Sequence, residues 1–399
     1  MKNKKQPLIV ALVLYVISAV GSYGVFSYLS PESTVSPQTT MQDQADDETL
    51  LGSLLTIEPG APRDQACPTN GKFFTLTEKN SWETRRPLAV MIENSPDARP
   101  QSGLSDADII FEAVAEGGVT RFMGIFYCGV QAFDTTLAPI RSARTYFIDY
   151  ASGFNFPLYT HVGGANIPGP TNALGQLSDY GWTGENNLNQ FSIGFPTFVR
   201  DYNRVPGKEI ATEHTMVTTT EKLWDVAEKR GWTNVPPVKF KTSKTVPQGN
   251  WWENYKGWQF ADEAGTPGSV KTISYDFWSG YGQYAVTWDF DSTSGTYLRT
   301  LGGEKHVDMN SGKQIAATNV AVILTTEKGP LNEAKHMMYE TIGTGKALIF
   351  INGNAIEGTW SKKSRTAELE FLDEKGKPVQ MGRGLTWISI VNKTTKVAY

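Results

Sequence analysis

Two cysteines and four histidines among 399 residues are too few, and the histidines too scattered, for a multi-thiolate or histidine-rich zinc site. Other absences narrow the chemistry further. There is no G-x-S-x-G nucleophile elbow, no H-E-x-x-H helix and no G-x-x-x-x-G-K-[ST] loop, which excludes the machines built on those motifs. No cofactor motif remains, so none is expected. Charge of one sign is also missing. With 37 Lys+Arg against 41 Asp+Glu the net charge is −4, which supplies no field to recruit nucleic acid. What is present is an ordinary globular apolar fraction of 40%, which excludes wholesale disorder, and eleven Trp, which suit β-rich folds or carbohydrate-facing surfaces. The length exceeds one average domain.

The N-terminus is partitioned by charge. Lys2, Lys4 and Lys5 lie in a tail (1–7), followed by a stretch with no charged residue at 8–29. About twenty residues suffice to cross a bilayer core as a helix. The alternative is a cleaved signal peptide, but no A-x-A-like exit and no nearby lipidatable Cys are present. With the first later basic residue at Arg63, the positive-inside rule keeps the tail cytoplasmic and the remainder outside. The expectation is a single-pass anchor in the cytoplasmic membrane with extracytoplasmic folded parts. Residues 30–66 read as a flexible acidic spacer. Seven acids against Arg63 place the acidity there, which leaves the chain from Cys67 onward at only −1.

In an oxidising compartment the pair Cys67 and Cys128 is expected to be bridged, with two free buried thiols as the alternative. The folded part divides into two blocks. In the first, 67–247, short apolar runs begin at Pro87, Asp108, Arg121 and Pro157, each bounded by Gly, Pro, Asn or Asp. They predict strands. Helical spacing over 142–151 and 219–230 makes this block α+β or α/β. The second, 248–399, predicts a mainly antiparallel β domain, a small sandwich or barrel, with turns after Asp291, at Asn352-Gly353 and at Glu374. The link at 244–250 reads as the boundary.

Chemistry concentrates between Glu93 and Asp149. Glu116-Gly117-Gly118 with Thr120 and Arg121 has the makings of an anion nest, or of a tight connection in which Glu116 and Arg121 pair. Arg141 and Arg144, three apart at an expected helix start with Ser142 as possible cap, would share a face. They either grip an anion or pair with Glu112, Glu116 or Asp149. His161, before the loop Val162-Gly163-Gly164-Ala165-Asn166, is a general-base candidate or a structural hydrogen-bonding residue. His214 beside Glu213 is weaker, and His306 and Asp308 are expected near the junction of the blocks. Glu93, Glu112 and Glu116 lie near strand ends, where two of them could form a glycan-cleaving pair.

The runs Pro87-Leu-Ala-Val-Met-Ile-Glu-Asn, Ala98-Arg-Pro-Gln-Ser-Gly-Leu, Glu116-Gly-Gly-Val-Thr-Arg and Ile140-Arg-Ser-Ala-Arg together resemble the YerB-like family. Its members are extracytoplasmic bacterial proteins, often lipoproteins, with N- and C-terminal parts of unknown function. The resemblance extends from about Pro87 to Ile390 and implies location and architecture, with no catalytic residue to carry over. The resulting expectation is an envelope protein that holds an anionic ligand through Arg121, Arg141 and Arg144, with Glu116 and His161 shaping the site. Cell-wall glycan or another anionic polymer is the expected partner. The alternatives are a glycan-cleaving enzyme using Glu112 or Glu116, and a protein–protein scaffold.

Overall fold

The computed structural model describes residues 54–237, 249–263 and 265–399. The proposed membrane segment at 8–29, most of the spacer and most of the link therefore lie outside the described residues. Among the described residues no helix is long and apolar enough to cross a membrane. They belong to one compact unit.

All four runs expected in the first block are strands: β1 (Leu88–Glu93), β2 (Ile109–Glu116), β3 (Val119–Phe126) and β4 (Leu158–His161), followed by the short β5 (Asn187–Asn189). The second block supplies β6 (Thr272–Tyr275), β7 (Val286–Asp291), β8 (Thr296–Leu301), β9 (Asn319–Thr325), β10 (Gly343–Ile351), β11 (Asn354–Lys362), β12 (Glu370–Asp373) and β13 (Thr386–Asn392). The β10–β11 turn is at Asn352-Gly353, where φ values of 47° and 71° explain the Asn-Gly pair. Helices are few and short. The helix Thr220–Lys229 is capped by Thr219, whose side chain accepts from the Lys222 amide, and stops before Gly231 at φ 68°.

Strand pairing departs from the expectation of a separate sandwich or barrel. One ten-stranded sheet runs in the order β12-β11-β10-β9-β13-β2-β3-β1-β4-β5 and takes five strands from each side of the link. The junction is β13, which pairs parallel with both β9 and β2. Six of its seven residues are buried, as for a strand covered on both faces. Period-two patterning reports which face of a strand is dry, and carries no information about the neighbouring strand. The other second-block pairings are mainly antiparallel, including the smaller sheet built on β6, β7 and β8. Order also begins ahead of Cys67, because Arg63–Ala66 pairs with Phe73–Thr75.

Candidate functional site

The residues singled out in the first block fall into three settings: a sealed core network, a buried ion chain and an open cleft. Glu112, on β2, belongs to the core. It is fully buried and accepts from Thr120 Oγ1 (3.0 Å), Asn94 Nδ2 (3.4 Å), Arg299 Nη2 (2.8 Å) and Trp387 Nε1 (3.1 Å). Arg299 comes from β8, so the pair ties the smaller sheet to the central one. Its Nε donates to His306 Nδ1 at 3.0 Å, so the neutral ring carries its proton on Nε2 and donates to Gln101 Oε1 at 2.9 Å. Burial, and then the charges of Arg299 and Arg99, hold His306 well below its ordinary value. The guanidinium carbon lies 4.2 Å from the Trp387 ring centroid and 5.1 Å from that of Trp288, partly replacing lost water. His306 and Asp308 do sit where the blocks meet, Asp308 accepting from the Ser105 amide at 3.0 Å. Glu112 reaches no surface and cannot meet a glycan.

Glu116, at the end of β2, is clamped by two buried guanidiniums. It receives Arg121 Nη2 at 2.6 Å and Arg144 Nη2 at 2.6 Å, with Arg144 Nε at 3.2 Å. Arg121 Nη2 lies 3.7 Å from Glu93 Oε2, which is also paired with Arg141 Nε. The result is a chain Arg144–Glu116–Arg121–Glu93–Arg141, three positive charges against two negative. Burial would raise the Glu116 carboxyl, but Arg121 and Arg144 outweigh it and bring it down to about 2. A carboxyl ionised throughout the ordinary pH range cannot donate a proton to a leaving group, so Glu116 is not a general acid. Its linkage follows in sign. The stabilisation, on the order of 3 kcal/mol, is complete above 4.5 and lost as pH falls toward 2. Thermal unfolding followed by circular dichroism should show a midpoint falling steeply from pH 4.5 to pH 2. Glu116→Gln should flatten that segment while lowering the midpoint at pH 7, and an unchanged slope would show that Glu116 is not so clamped.

The expected helical face for Arg141 and Arg144 is not formed. The helix starts only at Thr145, with Arg144 at its N-cap and no side-chain cap, so Ser142 caps nothing. Arg141 N donates to Met91 O and Ala143 N to Gly163 O, which hold 141–143 extended beside β1 and β4. Neighbouring side chains in extended backbone diverge. Arg144 therefore turns inward to Glu116, while Arg141 keeps 27% of its side chain exposed.

His161 is fully buried. Its Nδ1 is 2.5 Å from Gly163 O and its Nε2 2.6 Å from Asn187 Oδ1, and burial holds the ring below its ordinary value. It is the structural hydrogen-bonding residue of the two alternatives, and it shapes the loop after β4. His214 is also mostly buried, and burial lowers it against the raising influence of Glu93. Ser95 Oγ lies 3.5 Å from its Nδ1 and 3.4 Å from its Nε2. An approach equidistant from both nitrogens is side-on, so no lone pair is aimed at the hydroxyl.

The loop after His161 borders the open cleft, of about 620 Å³. Arg141, Ser142, Asn166, Asn189, Arg200, Thr212 and Glu213 are its polar lining, and Ile140, Leu174, Phe191 and Met216 its apolar lining, with Gly163 donating its amide to Asn189 Oδ1 at 3.1 Å. A cleft of that volume is in the range of small-ligand sites. Arg200 and Phe191 carry no local sequence signal. Arg200 reaches the cleft because Val199–Arg200 pairs antiparallel with Met216–Val217, and its Nη1 is held by Thr212 O and Thr215 Oγ1.

Away from the cleft, Cys67 and Cys128 form a disulfide. Asp108 lies against it, the three being the group closest to a metal-ligand cluster among the described residues. Two sulfurs bonded to each other are not thiolate ligands, and Asp108 is occupied by Thr69, Asn70 and the Cys128 amide.

Two family models match the chain, one on either side of the link. The N-terminal domain model of the protein family of unknown function DUF3048 matches residues 75–233, and its C-terminal domain model matches 273–388. The chain belongs to the DUF3048 family. It is 30% identical over 328 residues to "Putative lipoprotein YerB" of Bacillus subtilis (strain 168), covering 79% of this chain and 83% of the relative. The crystal structure of YerB protein from Bacillus subtilis superposes with a TM-score of 0.64 at 25% identity, over 84% of this chain and all of that one. The resemblance to the YerB-like family seen in the sequence is thereby borne out. In this DUF3048 chain every residue of the cleft lies within the N-terminal family segment, while β13, at the end of the C-terminal one, pairs with β2 in the same sheet as β4.

Proposed function

We propose that this DUF3048 protein is held at the cytoplasmic membrane by residues 8–29, with its folded part extracytoplasmic, and that its cleft binds an anionic group of the cell envelope. Membership beside a protein named as a lipoprotein supports the location. Both cysteines are joined to each other, so the apolar stretch is the attachment this reading uses. The observation carrying the binding proposal is the surplus charge of the ion chain. Three guanidiniums against two carboxylates leave one positive charge, and Arg141, at the cleft, is its exposed end. Arg200 adds a second cation to the lining. Arg121 and Arg144 support the site by holding Glu93 and Glu116, and they do not face the ligand.

Peptidoglycan carboxylates and wall phosphates both meet the chemistry. Co-sedimentation of the purified full-length protein with isolated cell walls should show binding that weakens with salt, since partly exposed charges are screened within about 8 Å at physiological ionic strength. Arg141→Gln with Arg200→Gln should remove most of it. Binding unaffected by both substitutions would sink the proposal.

A further inference from the structure

The cleft holds a group that a plain anion site would do better without. Glu213 lines it together with Arg141 and Arg200, is exposed, and forms no ion pair within 4 Å among the described residues. Its own backbone amide, and after it the positive charges of Arg141 and Arg200, hold it below the usual carboxylate range. A fixed negative charge beside two guanidiniums repels an incoming anion and weakens the site, unless the ligand brings a positive charge of its own.

We infer that the ligand is zwitterionic, a short peptide segment whose carboxylate lies between Arg141 and Arg200 and whose ammonium is taken by Glu213. This rests on the anion-binding reading above and names its substrate class. The remaining walls fit a peptide. Phe191 is 75% exposed, yet its ring is packed over Gly163, where an added Cβ would stand only 2.9 Å from Phe191 Cε2. Gly163, at φ 56°, therefore lets the ring close down as a flat apolar wall for an aliphatic side chain. Asn166, exposed in the lining, offers an amide donor and acceptor to the peptide backbone.

The test is calorimetric titration of the full-length protein in detergent with Ac-Lys-Ala-Ala, which has one free carboxylate and one free ammonium. Two analogues accompany it, one acetylated on the lysine Nζ and one amidated at the C-terminus. Acetylation should weaken binding by about three- to fivefold, the worth of a solvent-exposed ion pair. Glu213→Gln should produce the same loss for the free peptide and none for the acetylated one. Because Glu213 is exposed, the variant keeps its fold, which its unfolding midpoint verifies. Amidation of the carboxylate, or Arg200→Gln, should weaken both peptides. If Glu213→Gln leaves binding equal or tighter while Arg200→Gln weakens it, the cleft is a plain anion site and the zwitterion inference fails alone. If no peptide binds, or neither Arg200→Gln nor amidation matters, the zwitterion inference fails, and the anion reading stands or falls by co-sedimentation with cell walls.

Discussion

Glu112→Gln should lower the unfolding free energy by about 3–5 kcal/mol, the cost of removing one member of a fully buried ion pair. Its amide oxygen could still accept from Thr120 and Asn94, but the new NH2 would then point at Arg299 and Trp387, both of which donate. Arg299 would stay fully buried with its charge uncompensated, leaning on Trp387 and Trp288. Urea unfolding should show the midpoint falling with little change in slope. Arg299→Met should cost a comparable amount. The double variant should cost less than the sum of the two, because no lone charge remains in the core. Losses under about 1 kcal/mol for the single variants would mean that water reaches the pair.

Cys67→Ser with Cys128→Ser, or reduction of the bridge, should cost about 4 kcal/mol, as expected in the chain-entropy model for a closed loop spanning a separation of 61 residues. The bridge also seats a polar cluster. Asp108 is fully buried, and burial raises it to about 6 against its hydrogen bonds from Thr69, the Cys128 amide and Asn70. A carboxyl raised in the fold favours the folded state at low pH, and that contribution is lost as pH rises from 3.8 through about 6. Asp108 carries that pH dependence in the bridged and the unbridged fold alike, so loss of the bridge should lower the midpoint by a similar amount at pH 5 and pH 8. Melting curves with and without reductant at pH 5 and pH 8 measure this. Midpoints unmoved by reductant at both pH values would show that the bridge contributes nothing.

The lesson in legibility is clearest at three places. The strand runs at Pro87, Asp108, Arg121 and Pro157 were readable because each is a short apolar segment closed by turn residues. The helix ending at Lys229 was readable because a capping Thr and a following Gly are local signals. The pair Arg141 and Arg144 was misread. Spacing of three implies one face only if the backbone is helical, and hydrogen bonds to Met91 and Gly163 hold it extended. His161 and its glycine loop were half readable. The loop borders the cleft, while the ring is packed out of reach behind it.

By itself the sequence determined the family, the main strand runs of the first block, the balanced charge of the folded part and the shortage of metal-ligating groups. All of these follow from composition and from patterns a few residues long. Tertiary structure alone decided that β13 closes one sheet across both blocks, that Glu112 meets Arg299 from 187 residues away, and that Arg200 and Glu213 line one cleft with Arg141. The reason is physical. A strand's apolar face and a side chain's charge are local properties, whereas the partner that satisfies each is chosen by long-range pairing among many strands that look alike in sequence.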